Sequence, residues 1–147
     1  MEMVAVNPDG TLLVSGDIEG WAEVLARGVD TIVDLDGYVD EGLPETPNRM
    51  LYVYYPIFDE GLPCLDKLEA VGRLVADLVG SGHVVLVHCR MGFNRSNLVV
   101  ATALTYLGLT GVEALRHLQK LKPGALYNEA FADHVSALPC RVARTDG

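Results

Sequence analysis

The stretch that most constrains this chain is Val84-Val85-Leu86-Val87, followed at once by His88-Cys89-Arg90-Met91-Gly92-Phe93-Asn94-Arg95-Ser96. From Arg95 to Leu107 the pattern is then helical and apolar nearly all round. A run of β-favouring apolar residues without polar alternation suits a strand covered on both faces, as in mainly parallel sheets. A helix apolar on every side must be surrounded by other elements. A buried strand passing through a short loop into a buried helix implies a layered α/β arrangement. The loop then lies at the carboxyl end of a strand and at a helix N-terminus, where such folds bind ligands.

The rest of the chain supports that frame. Met3-Val4-Ala5-Val6 and Thr11-Leu12-Leu13-Val14-Ser15, separated by Asn7-Pro8-Asp9-Gly10, predict a hairpin. Asp17 is placed to cap a helix over Ile18 to Arg27, closed by Gly28. Thr31 to Leu35 and Met50 to Tyr55 read as strands, and Asp36 to Arg49 between them as a loop. Asp66 with Glu69 resembles a capping box before a helix over Lys67 to Val79, whose Leu68, Val71, Leu74, Val75 and Leu78 share a stripe. Two more helices are predicted over Gly111 to Leu121 and Glu129 to Leu138. The expectation is one domain over residues 1–147, with a mixed, mainly parallel sheet of about five strands flanked by helices.

Composition narrows the partners. The formal charge is −9, and it is uneven: residues 1–60 carry 13 acids and 2 bases, residues 61–147 carry 7 acids and 9 bases. That balance argues against nucleic acid and against an anionic membrane held by a basic patch. No apolar run is long enough to span a bilayer, and Met1 to Gly10 lacks a signal-peptide pattern. Three cysteines, Cys64, Cys89 and Cys140, form neither a disulfide framework nor a C-x-x-C metal motif. The expectation is a cytoplasmic monomer needing no metal or cofactor.

The chemistry is concentrated at residues 88–96. Consecutive backbone N–H groups of a loop before a helix can converge on one anion, aided by the helix dipole. Gly92 permits a backbone conformation that other residues resist. The same field favours the thiolate, nucleophilic form of Cys89. Arg95 offers a planar fork for two oxygens of a phosphoryl group. Ser96 can hydrogen-bond the sulfur and ease its departure.

His88, Cys89, Gly92, Arg95 and Ser96 together match H-C-x-x-G-x-x-R-S/T, so the chain resembles the cysteine-dependent protein phosphatases, in their dual-specificity branch. The likeness extends over residues 11 to 138, through Leu12-Leu13-Val14-Ser15-Gly16, Gly28 to Leu35, and Lys122-Pro123-Gly124-Ala125-Leu126-Tyr127-Asn128 with Phe131. It implies a phosphomonoester hydrolase acting through a phosphocysteine on a phosphorylated protein or peptide. Residues Arg90, Met91, Gly92, Phe93, Asn94 and Arg95 would form the loop that holds phosphate or another oxyanion. The branch also implies an aspartate acid about thirty residues before the cysteine. Asp59 is 30 positions upstream, with Glu60 and Asp66 as rivals. His88 would help keep the cysteine ionised, or be a strand-end histidine satisfied by backbone. Asn128 would brace the acid-bearing loop, or simply cap a turn.

Two positions depart from the family pattern. Asn97 stands where many relatives have proline or glycine, and Asn94 where serine or threonine is frequent. Neither removes a catalytic group, so substrate and subfamily are what they leave open. The acids from Asp30 to Glu45 predict an acidic rim that disfavours polyanions and favours phosphoresidues with neutral or basic flanks. Cys64 is either a partner for oxidised Cys89 or a plain loop cysteine. A non-catalytic phosphoprotein-binding module, a rhodanese-like domain, and action on an RNA end, phosphorylated sugar or inositol phosphate are the alternative readings.

Overall fold

The computed structural model describes residues 2–143. Five strands, β1 (Val4–Ala5), β2 (Leu12–Ser15), β3 (Thr31–Asp34), β4 (Leu51–Tyr54) and β5 (Val85–His88), form one sheet in the order β1-β2-β5-β3-β4. Only the β1–β2 pair is antiparallel. The Asn7-Pro8-Asp9-Gly10 turn joins those two strands as predicted. The Asn7 Oδ1 accepts the amides of Thr11 and Leu12, both at 2.9 Å, which starts β2.

Register explains the double burial of the three inner strands. Leu13, Leu86 and Ile32 are cross-strand neighbours on one face, and Val14, Val87 and Val33 on the other. The first row packs with Val24 of helix α1 (Trp21–Ala26). The second row faces the larger layer of α2 (Leu65–Gly80), α3 (Arg95–Thr105), α4 (Gly111–Leu121) and α5 (Glu129–Ser136). Helix α3 is the central one: every residue from Ser96 to Thr105 is buried, as its all-round apolar pattern requires.

Two helix starts differ from the sequence-based expectation. Helix α1 begins at Trp21 with Gly20 as its N-cap, and Asp17 lies outside it. The Asp17 amide donates to the Arg90 carbonyl at 3.1 Å, which ties this residue to the loop after β5, ahead of the Gly20 N-cap. Helix α2 begins one residue before Asp66, with Cys64 at the N-cap. Asp66 sits in the first turn, where its charge still suits the dipole. Its supposed partner Glu69 turns away to bind Arg141 through two bonds of 2.9 and 3.0 Å and to accept the Tyr106 hydroxyl at 2.6 Å. The reciprocal capping box lies elsewhere, at Thr110 and Glu113 of α4. Among the described residues no helix is long and apolar enough to cross a membrane.

The α4–α5 contact depends on Gly111. A Cβ there would come within 1.8 Å of the Val135 carbonyl oxygen. Gly111→Ala is therefore expected to destabilise the fold by roughly 2–4 kcal/mol, read as a lower urea midpoint at unchanged slope.

Candidate active site

The loop after β5 is shaped by a contact that leaves no space for side chains. Gly92 has φ +74°, and a Cβ on it would lie 2.8 Å from the amide nitrogen of Gly16. Gly16, at the end of β2, would in turn drive a Cβ to 2.8 Å from the Arg90 carbonyl oxygen. The two glycines let the loop fold back over the sheet edge and curl around Cys89. Cys89 is 2% exposed, and its sulfur lies 3.3 Å from the Ser96 Oγ and accepts the Gly92 amide at 3.2 Å. It therefore sits under the loop's Gly92 amide, in front of an eleven-residue helix whose dipole favours negative charge there.

Asn97 supports that loop. It is 1% exposed, and its Nδ2 donates to the carbonyls of Gly92 and Phe93 at 3.1 and 2.9 Å. Turning these carbonyls inward, away from the anion, leaves the amides facing it. The proline or glycine frequent at this position could not donate either bond.

Arg95 is oriented through one nitrogen. Its Nη1 donates to the carbonyls of Leu35 (3.3 Å) and Ile57 (3.2 Å) and to the Asp36 carboxylate (3.4 Å). These bonds hold the guanidinium plane and keep its other edge as a fork for an oxyanion. Asp36 also lies 3.8 Å from Arg90 Nε. Burial acts against its charge, but the Gly37 amide and the two arginines hold its carboxyl below the usual range, so the cleft keeps a carboxylate.

Asp59 stands on the exposed loop after β4, and both its oxygens are held. Oδ2 accepts the Asn94 Nδ2 at 2.9 Å, and Oδ1 accepts the Asn128 Nδ2 at 2.8 Å. Asn128 also donates to the Glu60 carbonyl at 2.9 Å and caps α5 by accepting the Phe131 amide at 3.2 Å. Asp36, Asp59, Glu60, Arg90, Arg95 and Phe58 line one open cleft of about 710 Å³.

Behind the loop, His88 is 1% exposed. Its Nε2 meets the Asp40 carboxylate at 2.6 Å and lies 3.7 Å from Asp34, its cross-strand neighbour. Burial opposes the imidazolium, but the hydrogen bond and charge of Asp40, then Asp34, push the His88 pKa above its ordinary value. Nδ1 makes no well-formed hydrogen bond, and the Cys89 backbone beside it further favours the charged ring. Asp34 accepts the Tyr52 hydroxyl and the Asp36 amide, while Tyr52 accepts the Asp40 amide at 2.7 Å. Among the described residues Asp34, Asp40 and His88 are the one group with three ligand-type atoms within 4.8 Å. His88 binds the Asp40 carboxylate and Asp34 accepts the Tyr52 hydroxyl, whose oxygen accepts the Asp40 amide, so these groups form one largely buried acid–base cluster.

The structure brings His88, Cys89, Arg95, Ser96, Asp59 and Asn128 to one place. Of the loop residues, Met91 and Arg90 are exposed, and Phe93 packs under the Lys122 ammonium at 4.1 Å and beside Tyr127. The Asn94 side chain, grouped by sequence with the phosphate ligands, turns to Asp59 instead. His88 is bound at Nε2 by Asp40 rather than by a backbone carbonyl, and among the described residues its Nδ1 has no well-formed hydrogen-bond partner. Asp66 is exposed in α2, capping nothing, and Cys64 is an exposed free thiol while Cys89 is buried. Sequence reasoning missed Gly16, Asp34, Asp40 and Tyr52. Only Gly16 left a signal, since it follows a strand beside the loop's own glycine.

Fold and loop together define a class: an α/β protein presenting a buried cysteine, a loop amide on its sulfur and an oriented arginine at a helix N-terminus. Residues 14–109 match the model of a family described as a polymorphic toxin system DSP-PTPase phosphatase. Slingshot homolog 3, a protein phosphatase of Mus musculus, is 32% identical over 111 residues, 74% of this chain and 17% of its own length. The crystal structure of Tk-PTP in its active form superposes with a TM-score of 0.73 at 26% identity, over 95% of this chain and 97% of that one. Human DUSP28 superposes with a TM-score of 0.73 at 26% identity, over 90% and 94%. The chain belongs to the dual-specificity phosphatases of the protein tyrosine phosphatase superfamily. It spans about a sixth of the length of the Slingshot relative.

Two measurements test this geometry. Asn97→Ala removes the side-chain donor to the Gly92 carbonyl, while the Phe93 carbonyl keeps the Leu126 amide at 2.9 Å, and it is expected to cost about 1–3 kcal/mol of stability and to weaken inhibition by inorganic phosphate. A group whose folded pKa is raised stabilises below its unfolded value, near 6.5 for His88, and that contribution fades as pH rises through the folded value. Asp40→Asn is therefore expected to lower Tm more at about pH 6 than at about pH 9.

Proposed function

We propose that this phosphatase is a cysteine-dependent phosphomonoester hydrolase acting on phosphorylated proteins, with phosphotyrosine favoured and phosphoserine or phosphothreonine also accepted. The observation that carries the reading is the Cys89 sulfur, accepting the Gly92 amide at 3.2 Å at the head of α3. There an incoming phosphoryl group would meet the sulfur, the Gly92 amide and the positive end of the α3 dipole together.

In the first step the Cys89 thiolate attacks phosphorus in line. An S–P bond forms, the bond to the leaving oxygen breaks, and Asp59 gives that oxygen its proton. In the second step Asp59 takes a proton from water as the water oxygen bonds to phosphorus. The S–P bond breaks, thiolate returns with Ser96 beside it, and phosphate leaves. Arg95 and the loop amides bear the charge of both transition states, so the chemistry calls for no metal. Asp40 and Asp34 favour the protonated form of His88 and hold its ring behind the loop, anchoring the strand end that leads into Cys89.

Substrate preference follows from the cleft walls. Asp36 and Glu60 sit beside the two arginines, so a polyanion meets repulsion that a single phosphoryl group avoids. Phe58 is 81% exposed on the same cleft and offers an apolar face to an aromatic phosphoresidue. A non-catalytic binding module would have no use for an acid held at both oxygens, which weighs against that alternative.

With a chelator present, Cys89→Ser is expected to abolish hydrolysis of p-nitrophenyl phosphate. Asp59→Asn is expected to lower kcat about 10²-fold on a phosphopeptide, whose leaving group is poor. Activity surviving Cys89→Ser would overturn the mechanism. Faster turnover of an inositol polyphosphate than of any phosphopeptide would overturn the substrate reading.

A further inference from the structure

The Asn94 side chain lies inside the phosphate-loop segment yet turns to Asp59. It is 2% exposed, so its two polar ends must find partners within the protein. Nδ2 donates to Asp59 Oδ2 at 2.9 Å, and Oδ1 accepts the Asn128 amide at 3.0 Å. Asn128 completes the ring by donating its own Nδ2 to Asp59 Oδ1 at 2.8 Å. Three chain segments meet in this ring: the end of the phosphate loop, the loop after β4, and the start of α5.

We propose that Asn94 is a positioning residue that ties the proton-donating Asp59 to the phosphate loop, so that the loop holding the phosphoryl group also sets where its acid stands. The proposal rests on the reading of Asp59 as the acid.

The physical case has three parts. Asp59 is exposed on a loop, and among the described residues its side-chain partners are the two asparagines. Such a group samples many positions unless something rigid holds it. Asn94 is rigid: its carbonyl accepts the Leu98 amide at 2.9 Å in the first turn of α3, which fixes its backbone to a buried helix. Asparagine is also the side chain whose planar amide presents a donor and an acceptor in different directions at this reach. A serine or threonine hydroxyl, one bond shorter, cannot span to Asp59 while keeping the Asn128 bond in the same geometry. The departure from the family pattern thus has a role in the proton transfer rather than in gripping phosphate.

Proton donation matters in proportion to how poor the leaving group is. The readout is therefore the ratio of kcat/KM for p-nitrophenyl phosphate, a good leaving group, to that for phenyl phosphate, a poor one. Asn94→Ala is expected to raise this ratio about 10-fold over the parent protein. Asp59→Asn should raise it further, and Asn94→Ala added to Asp59→Asn should leave it where Asp59→Asn alone set it. Asn94→Ser, the smaller polar change, is measured beside it and is expected to raise the ratio in the same direction, with thermal melting of both variants confirming the fold. A ratio unchanged in folded Asn94→Ala or Asn94→Ser overturns the proposal, because loss of loop scaffolding slows both substrates alike. If Asp59→Asn itself leaves the ratio unchanged, the acid assignment has failed instead.

Discussion

The site depends on the close approach of two backbones at Gly16 and Gly92. At this point the end of β2 and the loop after β5 touch where a methyl group would collide with main-chain atoms. Without that approach the loop could not curl tightly enough to aim the Gly92 amide at the Cys89 sulfur. Everything that acts on the anion inherits its position from this contact. Arg95 opens α3 directly behind the loop, Ser96 reaches the sulfur from the first turn, and Asn97 pulls the loop carbonyls away from it. The sheet register prepares the contact, because β2, β5 and β3 end level with Ser15, His88 and Asp34 in one row.

That row also divides the labour between the two faces of β5. Alternation sends Cys89 to the α3 side and His88 to the opposite side, where Asp34 is its cross-strand neighbour. A charged imidazole there is buried, which is costly unless it is paired. Asp40 supplies the partner from the acidic loop after β3, and Tyr52 and the Asp36 amide satisfy Asp34. The sulfur thus faces the Gly92 amide and the α3 dipole in front, while His88, tied to Asp40, anchors the strand end behind it.

What could be read from the sequence follows from the range of the interactions involved. The inner strands, the central helix and the cysteine loop were legible because each is written in a contiguous run: Val84 to Val87, Arg95 to Leu107, His88 to Ser96. Asp59 was legible through its spacing within a recognised family. The ends of α1 and α2 were not, since Asp17 and Glu69 each had a local role open to them and took a distant one instead. The same holds for Asp40, whose partner lies 48 residues away, and for Asn94, whose partner lies 35 away. Asn94 and Asn97 were visible as departures from a pattern, but their meaning lay in which groups the fold brought to them.

The charge of −9 acquires a physical sense from the cleft. Asp36 stays ionised beside Arg95 and Arg90, so the positive potential at the mouth is partly cancelled before any substrate arrives. On the proposed reading, an anion gains little by approaching the surface and more by reaching the fixed amide donors of the loop. Affinity thereby becomes conditional on fitting a single tetrahedral group into the loop. The interactions that do not depend on basic side chains, backbone amides and the dipole of α3, are the ones an acidic protein can concentrate at one point. They strengthen as charge accumulates on the phosphoryl oxygens, which is the condition for stabilising a transition state more than a bound anion.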